Sequence, residues 1–175
     1  MSTTNNTMAP SEVQELVITR LFDAPRELVF KVFTEPEHLV HWWGPKGTKI
    51  NHCEVDLRPG GTFHYCILGP DGGELWGKLT YREIEAPERL LFITSFSDAE
   101  GNTVRNPFSA DWPLEVLSEN TFTESDGKTL LTIRVIPHNP TDAEVQAYTA
   151  GRDGMNAGTN GMLDVLEEYL DSLQD

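Results

Sequence analysis

Between residues 49 and 137 the chain repeats one pattern, a short apolar or β-branched run followed by a tight turn of Gly, Pro, Asp or Ser. This constrains the fold more than any other feature. KINHCEVDL (49–57), TFHYCIL (62–68), ELWGKLTYREIE (74–85), RLLFITSFS (89–97), WPLEVLSENTFTE (112–124) and KTLLTIRVIP (128–137) read as strands. The links between most of them, such as Arg58-Pro59-Gly60-Gly61, Ala86-Pro87-Glu88 and Ser125-Asp126-Gly127, are too short for a crossover, so neighbouring strands must pair antiparallel. The polar stretch 98–111 reads as a loop.

Helical patterns flank this run. ELVITRLF (15–22) is a further strand, which makes about six to seven in all. Asp23 is a candidate cap for a helix with Pro25 in its first turn, and Leu28, Val29, Val32 and Phe33 give the 3–4 spacing of one buried face. A second short helix is expected from Pro36 to Trp42. After Pro137 the character changes again. Thr141 and Glu144 form a capping-box pair, and Val145, Tyr148, Met155, Met162, Leu166, Tyr169 and Leu173 recur at helical spacing, so one long helix runs to about Leu173. Helices segregated from a run of strands define an α+β domain. Residues 1–12 read as a flexible tail, and 13–175 as a single domain.

The last helix carries Gly151, Gly154, Gly158 and Gly161, with Ala147, Ala150 and Ala157 nearby. Each glycine costs about 1 kcal/mol relative to Ala in an exposed helix interior. Three explanations compete: close packing on the sheet, space left for a ligand, or an interruption near 151–158.

Charge and composition remove several function classes. Asp and Glu number 28 against 13 Lys and Arg, a net charge of −15 that repels nucleic acid and anionic membranes. No apolar run approaches a membrane span, and MSTTNNTMAPSE has no apolar signal core, so a cytoplasmic protein is expected. Such a compartment favours two free thiols at Cys53 and Cys66. A two-residue turn at Pro59-Gly60 would make these cysteines cross-strand neighbours, whereas a bulge at Gly60-Gly61 would put them on opposite faces.

Several motifs, taken together, resemble the Hsp90 ATPase activator-like family: FDAPRELVFKVFTEPEHLVHWWGP (22–45), VDLRPGGTFHY (55–65), YREIEAPERLLF (81–92) and GMLDVLEEYL (161–170). In the last of these the family often carries Trp where this chain has Met162. The resemblance implies a helix-grip, START-like fold, in which a curved antiparallel sheet and a long C-terminal helix enclose a cavity that commonly takes apolar ligands. Fold alone does not name a reaction.

Three functions follow from that resemblance as expectations. The first is binding of a small hydrophobic or amphipathic molecule. The second is a polyketide cyclase- or dehydratase-like enzyme, for which His64 or Glu54 would be the general base. The third is interaction with an Hsp90-type chaperone. Ligand-lining candidates are Trp42, Trp43, Phe63, Tyr65, Trp76, Phe96, Trp112, Met155, Gly158 and Met162, with Trp42 or Trp43 as a gate, and Arg58 and Tyr81 are further polar candidates. Strand alternation sets Phe63, Tyr65 and Ile67 against His64 and Cys66, and either row can face inward. No dinucleotide fingerprint, phosphate loop or nucleophile elbow is present, so no cofactor is expected. His38 and His41 lie three apart without a third ligand, so no metal is expected either. Homodimerisation suits a domain of this size, but the sequence marks no interface.

Overall fold

The structure is a computed structural model and describes residues 13–174; the expected tail at 1–12 lies outside the described residues. The strands are β1 (Leu16–Phe22), β2 (Lys49–Val55), β3 (Thr62–Leu68), β4 (Glu74–Glu85), β5 (Arg89–Ser97), β6 (Thr103–Val104), β7 (Val116–Ser125) and β8 (Lys128–Pro137). The helices are α1 (Arg26–Thr34), α2 (Pro36–Trp42) and α3 (Asp142–Leu173). All pairings are antiparallel, in the order β1-β8-β7-β5-β4-β3-β2, with β6 attached to β5. The loop expected at 98–111 therefore contains a two-residue strand. The start expected for β7 at Trp112 moves to Val116, because Trp112 is drawn away to pack on α3.

One face of the sheet holds the core. Phe63, Leu79, Tyr81, Leu90, Phe92, Val116, Phe122, Leu131, Ile133 and Val135 project toward the helices, where they meet Val29, Val32 and Phe33 of α1, Leu39 and Trp42 of α2, and Tyr148, Leu163, Leu166 and Leu170 of α3. The expected apolar face of α1 is present. Asp23, however, does not cap it: the preceding residue is Pro25, in extended conformation and without a side-chain cap.

α3 is continuous, as its spacing predicts, which removes an interruption near 151–158 as an explanation of the glycines. Thr141 accepts from the Glu144 N–H at 3.1 Å, and the Glu144 carboxylate accepts in return from the Thr141 N–H at 3.1 Å. Further tethers fix the helix to the sheet. The Tyr148 hydroxyl donates to the Val135 carbonyl at 2.8 Å, and Arg20 of β1 pairs with Asp164 and Glu167, each at 3.0 Å. At the far end Tyr169 bonds His38 at 2.7 Å and stacks on His41.

The helix glycines serve neither role expected for all four. Only Gly151 is a close approach, since a Cβ there would come 2.7 Å from the Trp112 ring. Gly154, Gly158 and Gly161 are exposed, with nothing within 4 Å of an added Cβ. The core-facing stripe is instead Tyr148, Met155, Met162, Leu163, Leu166 and Leu170. Gly158 is therefore corrected from a ligand-lining residue to a solvent-facing one.

Candidate functional site

The β2–β3 hairpin decides which side chains can reach the interior. Gly60, at φ +87°, carries the turn beyond two residues, and its N–H donates to the Tyr81 carbonyl at 2.8 Å. The register then sets Cys53 opposite Tyr65 and His52 opposite Cys66, so the cysteines point to opposite faces. Both are free thiols. Burial pushes Cys53 up to about 11, and burial with the nearby Glu74 carboxylate also raises Cys66. Neither is a reactive thiolate at neutral pH.

Phe63 and Tyr65 form the inward row. Both pack edge-on against Trp43, with centroids 5.2 and 5.7 Å from its ring. Burial pushes the Tyr65 phenol up to about 12. His64 lies on the opposite, outer face, where Trp76 stacks on it at 5.2 Å. Glu54, the cross-strand partner of His64, shares that outer face. His64 and Glu54 are thus corrected from cavity bases, and Trp76 from a cavity wall. Arg58 is exposed in the hairpin turn, paired with Asp56 at 2.8 Å, and it too lies away from the cavity.

Between the sheet and α3 lies a cavity of about 160 Å³. Its apolar wall is Phe33, Trp43, Phe92, Val116, Ile133, Val135, Met155, Met162 and Leu163. A polar arc of Thr94, Ser118, Asn120 and Thr159 completes it. None of the described residues lining it is titratable. A smaller space of about 60 Å³ adjoins it, sharing Thr94 and Val116 and bounded by Tyr65, Phe96, Trp112 and Pro113. Of the expected lining residues, Trp43, Met155 and Met162 meet the larger space, while Tyr65, Phe96 and Trp112 meet the smaller one. Phe63 packs beneath Trp43. Trp42 is corrected from a gate to a core residue: it is 1% exposed, and its indole N–H donates to the Val32 carbonyl at 2.9 Å.

Asn120 was not singled out by the sequence. It is buried, and its amide oxygen has no hydrogen-bond partner while its side chain lines the cavity. Leaving a buried acceptor unpaired costs about 1–3 kcal/mol. The Tyr81 hydroxyl is a second buried polar group without a partner, and burial raises its pKa with Cys53 adding to the effect. The available signal for Asn120 was the alternation Val116, Ser118, Asn120, Phe122 on β7. The other row, Leu117, Glu119 and Thr121, is also mixed, so alternation by itself did not say which row was inside.

A curved antiparallel sheet gripping one long helix, with a small apolar cavity between them, defines the helix-grip class. The sequence matches Activator of Hsp90 ATPase homolog 1-like protein over residues 23–171, and the chain belongs to that family. No curated protein matches it. Among solved structures, a protein of Mycobacterium smegmatis is 26% identical with a TM-score of 0.74, the match covering 93% of this chain and 94% of that one. A protein of Nitrosomonas europaea is 25% identical with a TM-score of 0.73, covering 94% and 97%. A family protein of Silicibacter pomeroyi is 16% identical with a TM-score of 0.68, covering 93% and 100%, and shares the fold. Among the described residues no helix is long and apolar enough to cross a membrane.

Proposed function

We propose that this protein binds a small amphipathic molecule in the cavity beneath α3, with a donor group of the ligand on the Asn120 amide oxygen. The unpaired oxygen of Asn120 carries this reading. The oxygen itself is closed off, so a small rotation of the Asn120 side chain would bring it to a ligand hydroxyl or N–H, while the surrounding Phe92, Val135, Met155 and Met162 would take the apolar body.

Size restricts the ligand class. A cavity of about 160 Å³ is close to the ~150 Å³ that accommodates benzene and well below the room a lipid chain needs. A single aromatic ring or a short alkyl chain bearing one donor fits best. The lack of a titratable group on the cavity wall favours binding over a cyclase-type reaction, which needs a general base beside its substrate.

Thermal-shift and calorimetric titrations should compare phenol with toluene and hexanol with hexane. Phenol and hexanol are expected to raise the melting temperature in proportion to their occupancy. Asn120→Leu should abolish the preference for the hydroxylated member of each pair. Equal binding of both members to the native protein, or no binding of any, would defeat the proposal.

A further inference from the structure

The outer face of the β2–β3 hairpin carries a cluster that the cavity does not use. His52 and Glu54 are two residues apart on β2, so both leave the same face of the strand. Glu54 stands directly opposite His64 on β3. A ligating atom from each of the three lies within 4.8 Å of the others.

The local geometry fits an ion better than a plain hydrogen-bonded pair. His52 Nε2 lies 3.3 Å from Glu54 Oε1, yet it is buried and makes no hydrogen bond. Two ligands held about 2.0–2.2 Å from one tetrahedral zinc ion stand roughly 3.4 Å apart. His64 is 8% exposed, and its Nε2 is 3.1 Å from the Asp98 carbonyl oxygen. Metal-binding histidines commonly engage a backbone carbonyl through the second ring nitrogen, which here leaves Nδ1 for the ion.

That carbonyl is itself fixed. The Asp98 carboxylate accepts from the N–H groups of Glu100 and Asn102 at 3.0 and 2.8 Å, which holds the turn that covers His64. Trp76 supports both imidazoles from the neighbouring strand, with centroids 5.3 Å from His52 and 5.2 Å from His64. The nearby Lys78 ammonium donates to the Gly101 carbonyl at 2.8 Å. The Glu54 side chain remains 75% exposed, so water can reach the open side of the cluster.

We propose that His52, Glu54 and His64 form a site for a divalent transition metal, with Zn²⁺ the best match and water completing its shell. Two imidazoles and one carboxylate suit zinc and its late first-row neighbours, and the net charge of −15 concentrates cations around the protein. The proposal does not depend on the cavity.

The test is a calorimetric titration of tag-free, chelator-treated protein with ZnCl₂. One ion per chain is expected, with a rise in melting temperature. His52→Gln and His64→Gln should each weaken binding roughly tenfold or more. Glu54→Gln changes an exposed side chain, so it must weaken binding without altering the metal-free melting temperature. Co²⁺ should quench tryptophan emission through Trp76, and Trp76→Phe should remove that part of the quenching. The double variant His38→Gln/His41→Gln should retain the native affinity. Binding that persists in His52→Gln/His64→Gln, or disappears in His38→Gln/His41→Gln, would overturn the site, as would the absence of stoichiometric binding to the native chain.

Discussion

The two halves of α3 are held by different means. From Leu163 onward the helix buries Leu163, Leu166 and Leu170 and is tied by Arg20 and by Tyr169 against His38 and His41. Before that point only Glu144 and Tyr148 are buried, and three exposed glycines lie between Tyr148 and Leu163. This weaker stretch contributes Met155 and Thr159 to the cavity roof. The part of the helix that covers the cavity therefore has the poorest intrinsic helix propensity and the least buried surface, the usual marks of low local stability.

The largest effect expected from testing this contrast is in the anchored half. Leu166→Ala should lower unfolding stability by about 2–5 kcal/mol in urea denaturation, because it empties a fully buried site. In the glycine half, Glu144→Ala should cost about 1–3 kcal/mol, since it removes the capping box, leaves the Leu114 N–H without its acceptor and takes from Arg105 its carboxylate partner.

Glu144 also carries a pH signature. Burial pushes its carboxyl up, but the hydrogen bonds from Arg105, Thr141 and Leu114 outweigh this and hold it below the usual carboxylate range. A folded-state pKa below the unfolded one stabilises at neutral pH, and the benefit is lost as pH falls through the folded value. The stability gap between the native chain and Glu144→Gln should therefore be constant near neutrality and close under acid conditions. A gap that widens on acidification would contradict the assignment.

Smaller effects sharpen the comparison further. Gly154→Ala and Gly158→Ala should each add about 0.5–1 kcal/mol, because they meet open space and improve helix propensity. Gly151→Ala should instead destabilise, since its Cβ would collide with Trp112. Amide exchange in the glycine stretch should slow in the two stabilised variants. Arg20→Met should change stability least, by about 0–1 kcal/mol, because its acidic partners are exposed. Met162→Trp places a larger side chain against the cavity, and should abolish binding of phenol.

Most of the architecture was legible because it depends on local signals. Pro36 and Trp42 bound α2 as expected, and the Thr141–Glu144 box starts α3. The site was less legible because it depends on facing. Whether Cys53 shares a face with Cys66 or with Tyr65 rests on a turn whose length is set by Gly60 pairing with Tyr81 in another strand. The glycine stripe misled for a related reason: its 3–4 spacing fixes a common face of the helix but not the direction in which that face points. The short pair of β6 with β5 had no periodicity to reveal it, since two residues cannot display an alternation.

The pairing of β1 with β8 has a consequence for how the molecule is made. β1 has one neighbour, β8, and the strands that meet there are more than a hundred residues apart in sequence. Synthesis at about 5–20 residues per second leaves Leu16 and Ile18 without their partners for roughly 6–24 s. During that interval the emerging chain presents an apolar strand with free backbone groups. Protection by the ribosome or a holding factor would matter most then, before the last hairpin emerges and gives β1 its place.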